Sequence, residues 1–283
     1  MNKKYKRVFS INLQPGYRNY TVKDLQDIKG KKKLTQILVN DALEASAAEE
    51  AGVDLILAKP DENVPLIRKA APKTFMTVSV PFIKYSSKED IVKKALELVE
   101  HGADSIHCGS WNLNFMKYLN EFKIPFQGHA GLVPRRSTWI GGVRAFGKNA
   151  KEASKLLKDV KDIEETGAWG VEVECVPEEI LGEITKQTKL LTLSIGSGKK
   201  SDVQFLFAED ILGCSSIDTP RHAKMYANFN KLNDQIQNER IKAFKKFNSE
   251  VKKGIFPSKK HSISIDNKEL ISFKKSLRDK KDN

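Results

Sequence analysis

The amino-acid sequence predicts a (β/α)8 barrel, also called a TIM barrel, with an added C-terminal helix. Eight short apolar runs are rich in β-branched residues, and segments of helical period lie between them. Three of these helical segments end in a glycine shortly before a strand. Parallel strands that alternate with helices in this number are typical of the barrel. A doubly wound sheet is the alternative, and the lack of a G-x-G-x-x-G motif after an early strand counts against its dinucleotide-binding form.

The candidate strands are short runs in which apolar and β-branched residues predominate and which turn residues or charges bound. In chain order they are residues 34–39, 54–58, 74–79, 104–108, 124–128, 169–174, 190–195 and 203–207.

The intervening helices are predicted from apolar residues that recur three and four positions apart. In the segment that begins at Lys88, Ile91 and Leu98 belong to one apolar stripe, while lysines and glutamates face water. A glycine suits the left-handed position that follows a helix, as at Gly52 and Gly102. The predicted helical segments are 41–52, 88–103, 149–168 and 177–188.

The C-terminal part of the chain predicts one long helix followed by a tail. Residues 220–253 have helical character and lead to Gly254, and Pro257 follows. From Ser258 onward the chain is polar and charged. We therefore expect a single barrel domain, 1–257, that includes this helix, and a mobile charged tail, 258–283.

The charge balance raises the question of a polyanionic partner. Lys and Arg number 49 against 36 Asp and Glu, a formal net charge of +13. The excess lies mostly in terminal segments and on helix faces, without an aromatic-interleaved basic motif or zinc-finger spacing. This pattern favours a solvated lysine-rich surface over a nucleic-acid interface.

The apolar residues and the cysteines narrow the class further. No run approaches the roughly 20 apolar residues of a membrane-spanning helix, and no apolar signal-peptide core follows the first residues, so a cytoplasmic protein is expected. Three widely spaced cysteines predict reduced thiols rather than a disulfide or metal clip. Cys108 follows His107 and Cys175 follows Glu174. Both are better interpreted as small buried hydrophobic residues than as nucleophiles. The three are Cys108, Cys175 and Cys214.

In barrels the active site lies at the C-terminal ends of the strands, and the end of the fifth candidate strand carries a histidine. His129 leads into a glycine-rich, arginine-containing loop, 128–142, that is longer than a plain connection requires. A histidine there can donate a hydrogen bond to a substrate carbonyl or oxyanion. The alternative is a structural hydrogen bond to the neighbouring loop backbone.

The sixth candidate strand ends in alternating carboxylates. Glu172 and Glu174 share one face because the strand period is two. A partly buried Glu174 with a raised pKa would suit a general base, whereas an ion pair with a lysine is the structural alternative. After the next strand, the glycine-rich turn 194–198 is either an anion cradle or a turn without a ligand.

Several of these strings occur together in one known family. The pattern GHxGLxP lies at 128–134, ECVP at 174–177 and FPxxxHS at 256–262, and further similar segments run collinearly over nearly all of residues 20–262. On these motifs the chain resembles the ketopantoate hydroxymethyltransferase (3-methyl-2-oxobutanoate hydroxymethyltransferase) family, of the phosphoenolpyruvate-mutase/isocitrate-lyase superfamily.

The resemblance implies a reaction and an assembly. In the family a divalent metal, Mg²⁺, holds a small 2-keto acid, a base removes the proton next to the ketone, and the enolate attacks 5,10-methylenetetrahydrofolate. With 2-keto-isovalerate the product is ketopantoate, an intermediate of pantothenate biosynthesis. The family's base falls on Glu174 and its substrate-contacting histidine on His129. The resemblance also implies a homo-oligomer, and nothing in it points to a membrane or nucleic acid.

The motifs that carry the metal depart from the family pattern. Val-Gly-Asp-Ser is replaced by residues 58–61, so the ligand aspartate meets Pro60 unless a one-residue shift brings Asp61 into place. The aspartate of Asp-Leu-Pro-Phe is replaced by Ser79, and the glutamate of Lys-Leu-Glu-Gly by Gly109. The Mg²⁺ ligands are therefore mostly absent, and one aspartate does not make a magnesium site.

The departures suggest a variant mechanism. His107 takes the place of the substrate lysine, and Lys59 lies at the end of the second candidate strand. We expect substrate binding by His129, Lys59, Asp61, Ser79 and His107, with the two cations replacing the metal as partners of the keto acid. The alternatives are another carbon–carbon bond enzyme (a lyase) of the superfamily, and a catalytically inactive paralogue that binds a ligand.

Overall fold

Parallel strands and helices alternate along most of the chain in the computed structural model, which describes residues 5–80, 84–108, 112–215 and 220–279. The helices and strands of this described part, in chain order, are β1 (Lys6–Phe9), β2 (Pro15–Arg18), α1 (Val22–Asp27), β3 (Leu34–Val39), α2 (Ala42–Glu50), β4 (Leu55–Ala58), α3 (Val64–Ala70), β5 (Phe75–Ser79), α4 (Lys88–Glu100), β6 (Ser105–His107), α5 (Leu113–Glu121), β7 (Phe126–Gly131), α6 (Ser137–Ile140), α7 (Ala150–Glu165), β8 (Gly170–Glu174), α8 (Glu178–Gln187), β9 (Leu191–Ile195), β10 (Val203–Phe207), α9 (Ala208–Leu212), α10 (Phe229–Lys252) and α11 (Asn267–Asp279).

Eight of these strands close into one barrel. The order around it is β10-β3-β4-β5-β6-β7-β8-β9, and every pair is parallel, including the closing pair of β10 with β3. The prediction of a (β/α)8 barrel is confirmed, and closure excludes the doubly wound sheet. All eight predicted strands and the four predicted barrel helices are present. The antiparallel pair β1–β2 lies outside the barrel and was not predicted.

Several helices begin where a polar side chain caps them. Asp41 accepts hydrogen bonds from the backbone at the start of α2, Ser87 does so for α4, and Asn149 for α7. Such caps satisfy backbone N–H groups that have no partner within the helix. The apolar stripe predicted for the segment that begins at Lys88, which is α4 in the structure, is buried, with Ile91 and Leu98 almost inaccessible to solvent.

The barrel interior has an apolar side and a polar side. On β3, β4, β9 and β10 large apolar side chains fill most of the interior, among them Leu57, Ile195 and Phe205, and β3 also carries the buried Gln36. Burial of each such side chain contributes about 1.5–3 kcal/mol. At the C-terminal ends of β5 to β8 the corresponding positions hold Ser, His and Glu. The apolar side stabilises the barrel, and the polar side contains the groups able to carry chemistry.

At the N-terminal ends of the strands, three aspartates join neighbouring elements. Asp54 accepts from the backbone of Thr35, Asp104 pairs with both Arg18 and Arg68, and a third aspartate, before β10, accepts from β9. We call Asp54, Asp104 and Asp202 the aspartate ties. In barrels this end serves stability rather than catalysis. Arg18 and Arg68, which contribute to the positive net charge, are therefore paired with a carboxylate.

The chain divides into two compact units, residues 1–227 and 228–283. The long C-terminal helix is confirmed but begins later than predicted, because the side chain of Asn228 caps it at Lys231; residues 220–228 are not helical. It ends at Lys252, and Gly254 follows in the left-handed conformation, φ +67°. Helix α11 lies within the segment expected to be a tail, and the domain boundary at residue 257 stays a prediction. Among the described residues, no helix is long and apolar enough to span a membrane.

Candidate active site

The pairing of β7 with β8 places a histidine beside two glutamates. The register sets His129 opposite Glu172 and Gly131 opposite Glu174. Since side chains alternate along a strand, His129 points inward while Gly128 points outward. A Cβ at Gly128 would come within 2.6 Å of Ile163 Cγ2, so the glycine lets α7 pack closely against β7.

Five side chains form a continuous series of contacts at the mouth of the barrel. Ser79 Oγ is 3.2 Å from His107 Nδ1, and His107 Nε2 is 3.2 Å from Glu172 Oε2. His129 Nε2 is 3.6 Å from Glu172 Oε1 and 3.0 Å from Glu174 Oε2. The two imidazole rings lie 5.5 Å apart between centroids. We call this series, Ser79, His107, Glu172, His129 and Glu174, the mouth cluster.

Burial and charge act in opposite directions on the two central groups. Burial by itself raises the pKa of the Glu172 carboxyl, but the positive charge of His129 and His107 outweighs it and lowers that pKa. Burial by itself lowers the pKa of His129, but the Glu172 and Glu174 carboxylates outweigh it and raise that pKa. Glu172 is therefore ionised at neutral pH and favours the protonated form of His129.

Two buried atoms of the mouth cluster lack a hydrogen-bonding partner within the described part of the chain. They are His107 Nε2 and Glu172 Oε2, which face one another at 3.2 Å without the geometry of a hydrogen bond. Leaving such a group unsatisfied costs about 1–3 kcal/mol, and more for a charge. Among the described residues both atoms are paired only with one another, at 3.2 Å, and each can accept a further interaction.

A cavity of about 180 Å³ opens beside the cluster. It is small against the several hundred Å³ of sites for drug-sized ligands, and suits a molecule of few atoms. The loop after β7 supplies part of its wall, including Arg135. Its described lining residues are Ser79, Val80, His107, His129, Val133, Pro134 and Arg135.

The structure brings together four of the predicted site residues: Ser79, His107, His129 and Glu174. Glu174 contacts His129 rather than a lysine, and its side chain is 17% exposed against 7% for Glu172. His129 also has the backbone hydrogen bond, to Leu132, that the structural alternative expects.

Lys59 and Asp61 are placed elsewhere. The exposed Lys59 donates from Nζ to Asn40 Oδ1 at 2.7 Å, and the exposed Asp61 accepts from the backbone N–H of Asn63 at 2.9 Å. Neither lines the cavity. Gly109, which takes the place of a family ligand, lies outside the described residues.

The remaining candidate segments have structural partners. In the glycine-rich turn, Ser197 Oγ accepts from Val176 N–H and donates to the carbonyl of Val173, which joins the turn to the strand of the ECVP motif. Burial raises the pKa of the Cys108 thiol. Burial, together with the charge of Glu174, raises that of Cys175. Both thiols are therefore protonated at neutral pH, as a hydrophobic role requires.

Two residues of the site were missed as site candidates. The strand period already placed Glu172 on the face of Glu174, but the sequence does not show that this face meets two histidines. Arg135 lies in the glycine-rich loop 128–142, yet no local pattern tells which of its two adjacent arginines lines the cavity.

The donor set at the mouth does not fit the magnesium ion that the resemblance implies. Mg²⁺ prefers an octahedron of oxygen ligands. The only aspartate of the altered strand motif, Asp61, is engaged at the start of α3. Instead, His107, His129 and Glu172 place their ligand atoms within 4.8 Å of one another. Two imidazoles with one carboxylate suit a borderline transition metal better.

A closed parallel barrel with a histidine–glutamate pair at its C-terminal mouth defines an enzyme of the (β/α)8 class. The model of the ketopantoate hydroxymethyltransferase family matches residues 62–259. The chain therefore belongs to the ketopantoate hydroxymethyltransferase family.

Individual relatives agree with this assignment. The chain is 34% identical to the 3-methyl-2-oxobutanoate hydroxymethyltransferase of Kosmotoga olearia, over 83% of this chain and 94% of that protein. It is 32% identical to the enzyme of that name from Thermotoga maritima, over 89% and 99%. The Pyrococcus furiosus enzyme of the same name is also 32% identical, over 90% and 95%.

Solved structures show the fold. A protein from Burkholderia cenocepacia J2315, provisionally described as a phosphonomutase, aligns with a TM-score of 0.55 at 11% identity, covering 67% of this chain and 93% of that chain. An oxaloacetate acetylhydrolase aligns with a TM-score of 0.50 at 9% identity, covering 66% and 80%. At these identities the likeness concerns the barrel alone.

Proposed function

We propose that this chain is a hydroxymethyltransferase that converts 2-keto-isovalerate into ketopantoate, with 5,10-methylenetetrahydrofolate as co-substrate, in pantothenate biosynthesis. Family membership over most of the chain supports this activity. The observation that carries it to particular residues is the 3.0 Å contact between His129 and Glu174 at the mouth of the barrel. These are the residues on which the family's substrate contact and general base fall.

In this proposal Glu174 removes the proton from the carbon next to the ketone. Its carboxylate is partly exposed, as a base that meets a substrate must be, and it already exchanges a hydrogen bond with a cavity-wall residue. His129, whose pKa is raised by its carboxylate neighbours against the effect of burial, then supplies an N–H to the enolate oxygen. The enolate carbon bonds to the methylene carbon of the co-substrate, both bonds from that carbon to the folate nitrogens break, and water supplies the new hydroxyl. The C3 proton, released from Glu174, and the second proton of the water end on the two folate nitrogens.

In this proposal Arg135, and not the Lys59 expected from the sequence, binds the substrate carboxylate. The substrate is a carboxylate, and the exposed Arg135 lines the cavity, whereas Lys59 donates to Asn40. A guanidinium binds a carboxylate through two parallel hydrogen bonds. We therefore assign the keto-acid carboxylate to Arg135 and leave the ketone oxygen to the histidines.

The experiment separates proton removal from transfer. In D2O, exchange of the C3 proton of 2-keto-isovalerate is followed by NMR without folate, and ketopantoate formation is then measured with 5,10-methylenetetrahydrofolate. The proposal expects both. Exchange without transfer would support the rival carbon–carbon lyase, and neither reaction would support the inactive paralogue.

The cellular setting follows from the same proposal. A folate-linked biosynthetic enzyme is expected in the cytoplasm, acting on small molecules rather than on nucleic acid or a membrane. Self-association into a homo-oligomer is proposed from the family resemblance, and size-exclusion chromatography with light scattering measures it.

A further inference from the structure

We propose that His107, His129 and Glu172 bind one transition-metal ion of the zinc class at the mouth of the barrel, in place of the magnesium site of the family. The three residues lie on the neighbouring strands β6, β7 and β8. The inference shares its location with the proposed active site, but it concerns metal binding, which is measured without turnover.

The distances are short enough for one small ion to take the place of the direct contacts. Zinc lies about 2.0–2.2 Å from nitrogen and carboxylate ligands, which puts the ligand atoms of a tetrahedral site roughly 3.3–3.5 Å apart. Glu172 Oε2 is 3.2 Å from His107 Nε2, and Glu172 Oε1 is 3.6 Å from His129 Nε2. All three residues offer ligand atoms within 4.8 Å of one another, so a modest rotation of the imidazoles completes the set.

Two of the six buried polar side-chain atoms that lack a hydrogen bond among the described residues lie at this place; the other four belong to Gln36 and Gln127. His107 Nε2 and Glu172 Oε2 are buried, face each other and form no hydrogen bond with any described residue. Glu172 is only 5% exposed, so water does not compensate for its charge. A divalent cation between these atoms would satisfy both and neutralise the carboxylate.

Each of the two histidines has a further contact, outside the proposed ligand set, of the kind that orients imidazole ligands in metal sites. Ser79 Oγ contacts His107 Nδ1 at 3.2 Å, which leaves Nε2 directed at Glu172. The backbone of Leu132 bonds to His129. Such outer contacts orient imidazole ligands. Metal binding would replace the proton between His129 and Glu174 and leave Glu174 as the free base. In that state the bound ion, and not the His129 N–H, would stabilise the enolate oxygen.

The ligand chemistry selects the ion. With imidazole as two of the three donors, affinity rises from Mn²⁺ towards Cu²⁺ and Zn²⁺, whereas Mg²⁺ dehydrates reluctantly and keeps oxygen ligands. The cavity beside Ser79 leaves room for a small ligand at an open coordination position. The altered strand motifs thus indicate an exchanged metal rather than a lost one.

The test uses the full chain, free of any affinity tag and stripped with a chelator. Calorimetric titration is expected to show one Zn²⁺ per chain, bound at least 100-fold more tightly than Mg²⁺, and Co²⁺ is expected to give the visible absorption of a four- or five-coordinate site. Glu172→Gln and His107→Gln should each weaken Zn²⁺ binding at least 100-fold, whereas His101→Gln, at the exposed end of α4, should not. Ser79→Ala, a milder change, should weaken it about 10-fold.

The outcomes are distinct. Equal binding of Mg²⁺ and Zn²⁺, or Zn²⁺ binding that survives Glu172→Gln and His107→Gln with circular dichroism unchanged, would overturn the metal site. Because the Ser79→Ala protein retains every proposed ligand, its affinity decides the question if the larger changes prevent folding: an unchanged Zn²⁺ affinity there counts against the site. Transfer activity without Zn²⁺ binding would refute this inference and leave the proposed function intact.

Discussion

The imidazole of His129 and the carboxylate of Glu174 face each other at 3.0 Å across two paired strands, with Glu172 on the other side of the same nitrogen at 3.6 Å. One nitrogen is thus shared between two carboxylates of different exposure. The more exposed carboxylate is free to meet a substrate, while the buried one keeps the histidine protonated. This division of roles leads to the first prediction.

Glu174→Gln is expected to lower kcat for ketopantoate formation and the rate of C3 proton exchange together, each by about 10²–10⁴, because an amide cannot accept the proton. Glu179→Gln is the matched control, since Glu179 is an exposed glutamate close to Glu174 on the following helix. NMR exchange and product formation measure the two rates. Loss of transfer with normal exchange would show that Glu174 is not the base.

Arg135→Ala is expected to raise KM for 2-keto-isovalerate about 10- to 100-fold, with a smaller effect on kcat, because the substrate carboxylate loses its charged partner. Arg135→Lys should restore part of the affinity. Lys148→Ala removes an exposed cation of the same region and should leave KM unchanged. An unchanged KM in Arg135→Ala would mean that the carboxylate binds elsewhere.

Asp202→Asn is expected to destabilise the barrel by about 2–4 kcal/mol at pH 7, because Asp202 accepts from Thr192 and Gly30 and pairs with Lys29. Urea denaturation measures the loss. Asp162→Asn, which removes only a surface pair with Lys158, should cost less than about 1 kcal/mol.

The same aspartate sets a pH dependence. Burial raises the pKa of Asp202, but its hydrogen bonds to Thr192 and the charge of Lys29 outweigh burial and lower that pKa below the ordinary value of 3.8. A lowered pKa in the folded state stabilises the fold above the unfolded value, and this stabilisation is lost as the pH falls through the folded value. The difference in unfolding free energy between wild type and Asp202→Asn should therefore shrink below about pH 4. A difference that stays constant from pH 7 to pH 3 would contradict this assignment.

Gly131→Ala is expected to reduce both stability and activity. Gly131 has φ +84°, and an added Cβ would come within 2.4 Å of the carbonyl oxygen of Glu174, which lies in the paired strand. Gly30→Ala is the control, because Gly30 has a similar φ, +72°, with nothing within 4 Å of the added Cβ. Gly30→Ala should cost about 1 kcal/mol through backbone strain alone, and Gly131→Ala clearly more in thermal unfolding. Equal losses of stability in the two variants would show that the carbonyl group of Glu174 moves away from the added Cβ without destabilising the fold.

The sequence predicts the barrel well because its signals are local. The barrel strands are short runs rich in apolar residues, and several helices have a capping residue or an apolar stripe. The positions of β3 and β10 agree with prediction to the residue. The strands β1 and β2 are short and largely exposed, so their sequence pattern does not predict strands clearly.

The site is predicted less completely, because neighbouring positions at a strand end point in different directions. His129 and Glu174 were found from their motifs, and both lie at the mouth. Lys59 follows the end of β4 and is turned toward Asn40, which no periodicity shows. The meeting of Glu172 with His107 depends on the register of three strands, which the sequence alone does not contain.

The aspartate ties lie at the end of the barrel opposite to the mouth cluster, and this separation bears on how the family can diverge. Exchanging a side chain of the mouth cluster breaks none of the hydrogen bonds that the aspartate ties form at the opposite end of the barrel. Side chains at the mouth, such as Ser79 and His107, can therefore change while the strands stay joined. Selection on reactivity and selection on folding act on residues that share a scaffold but hardly any contacts.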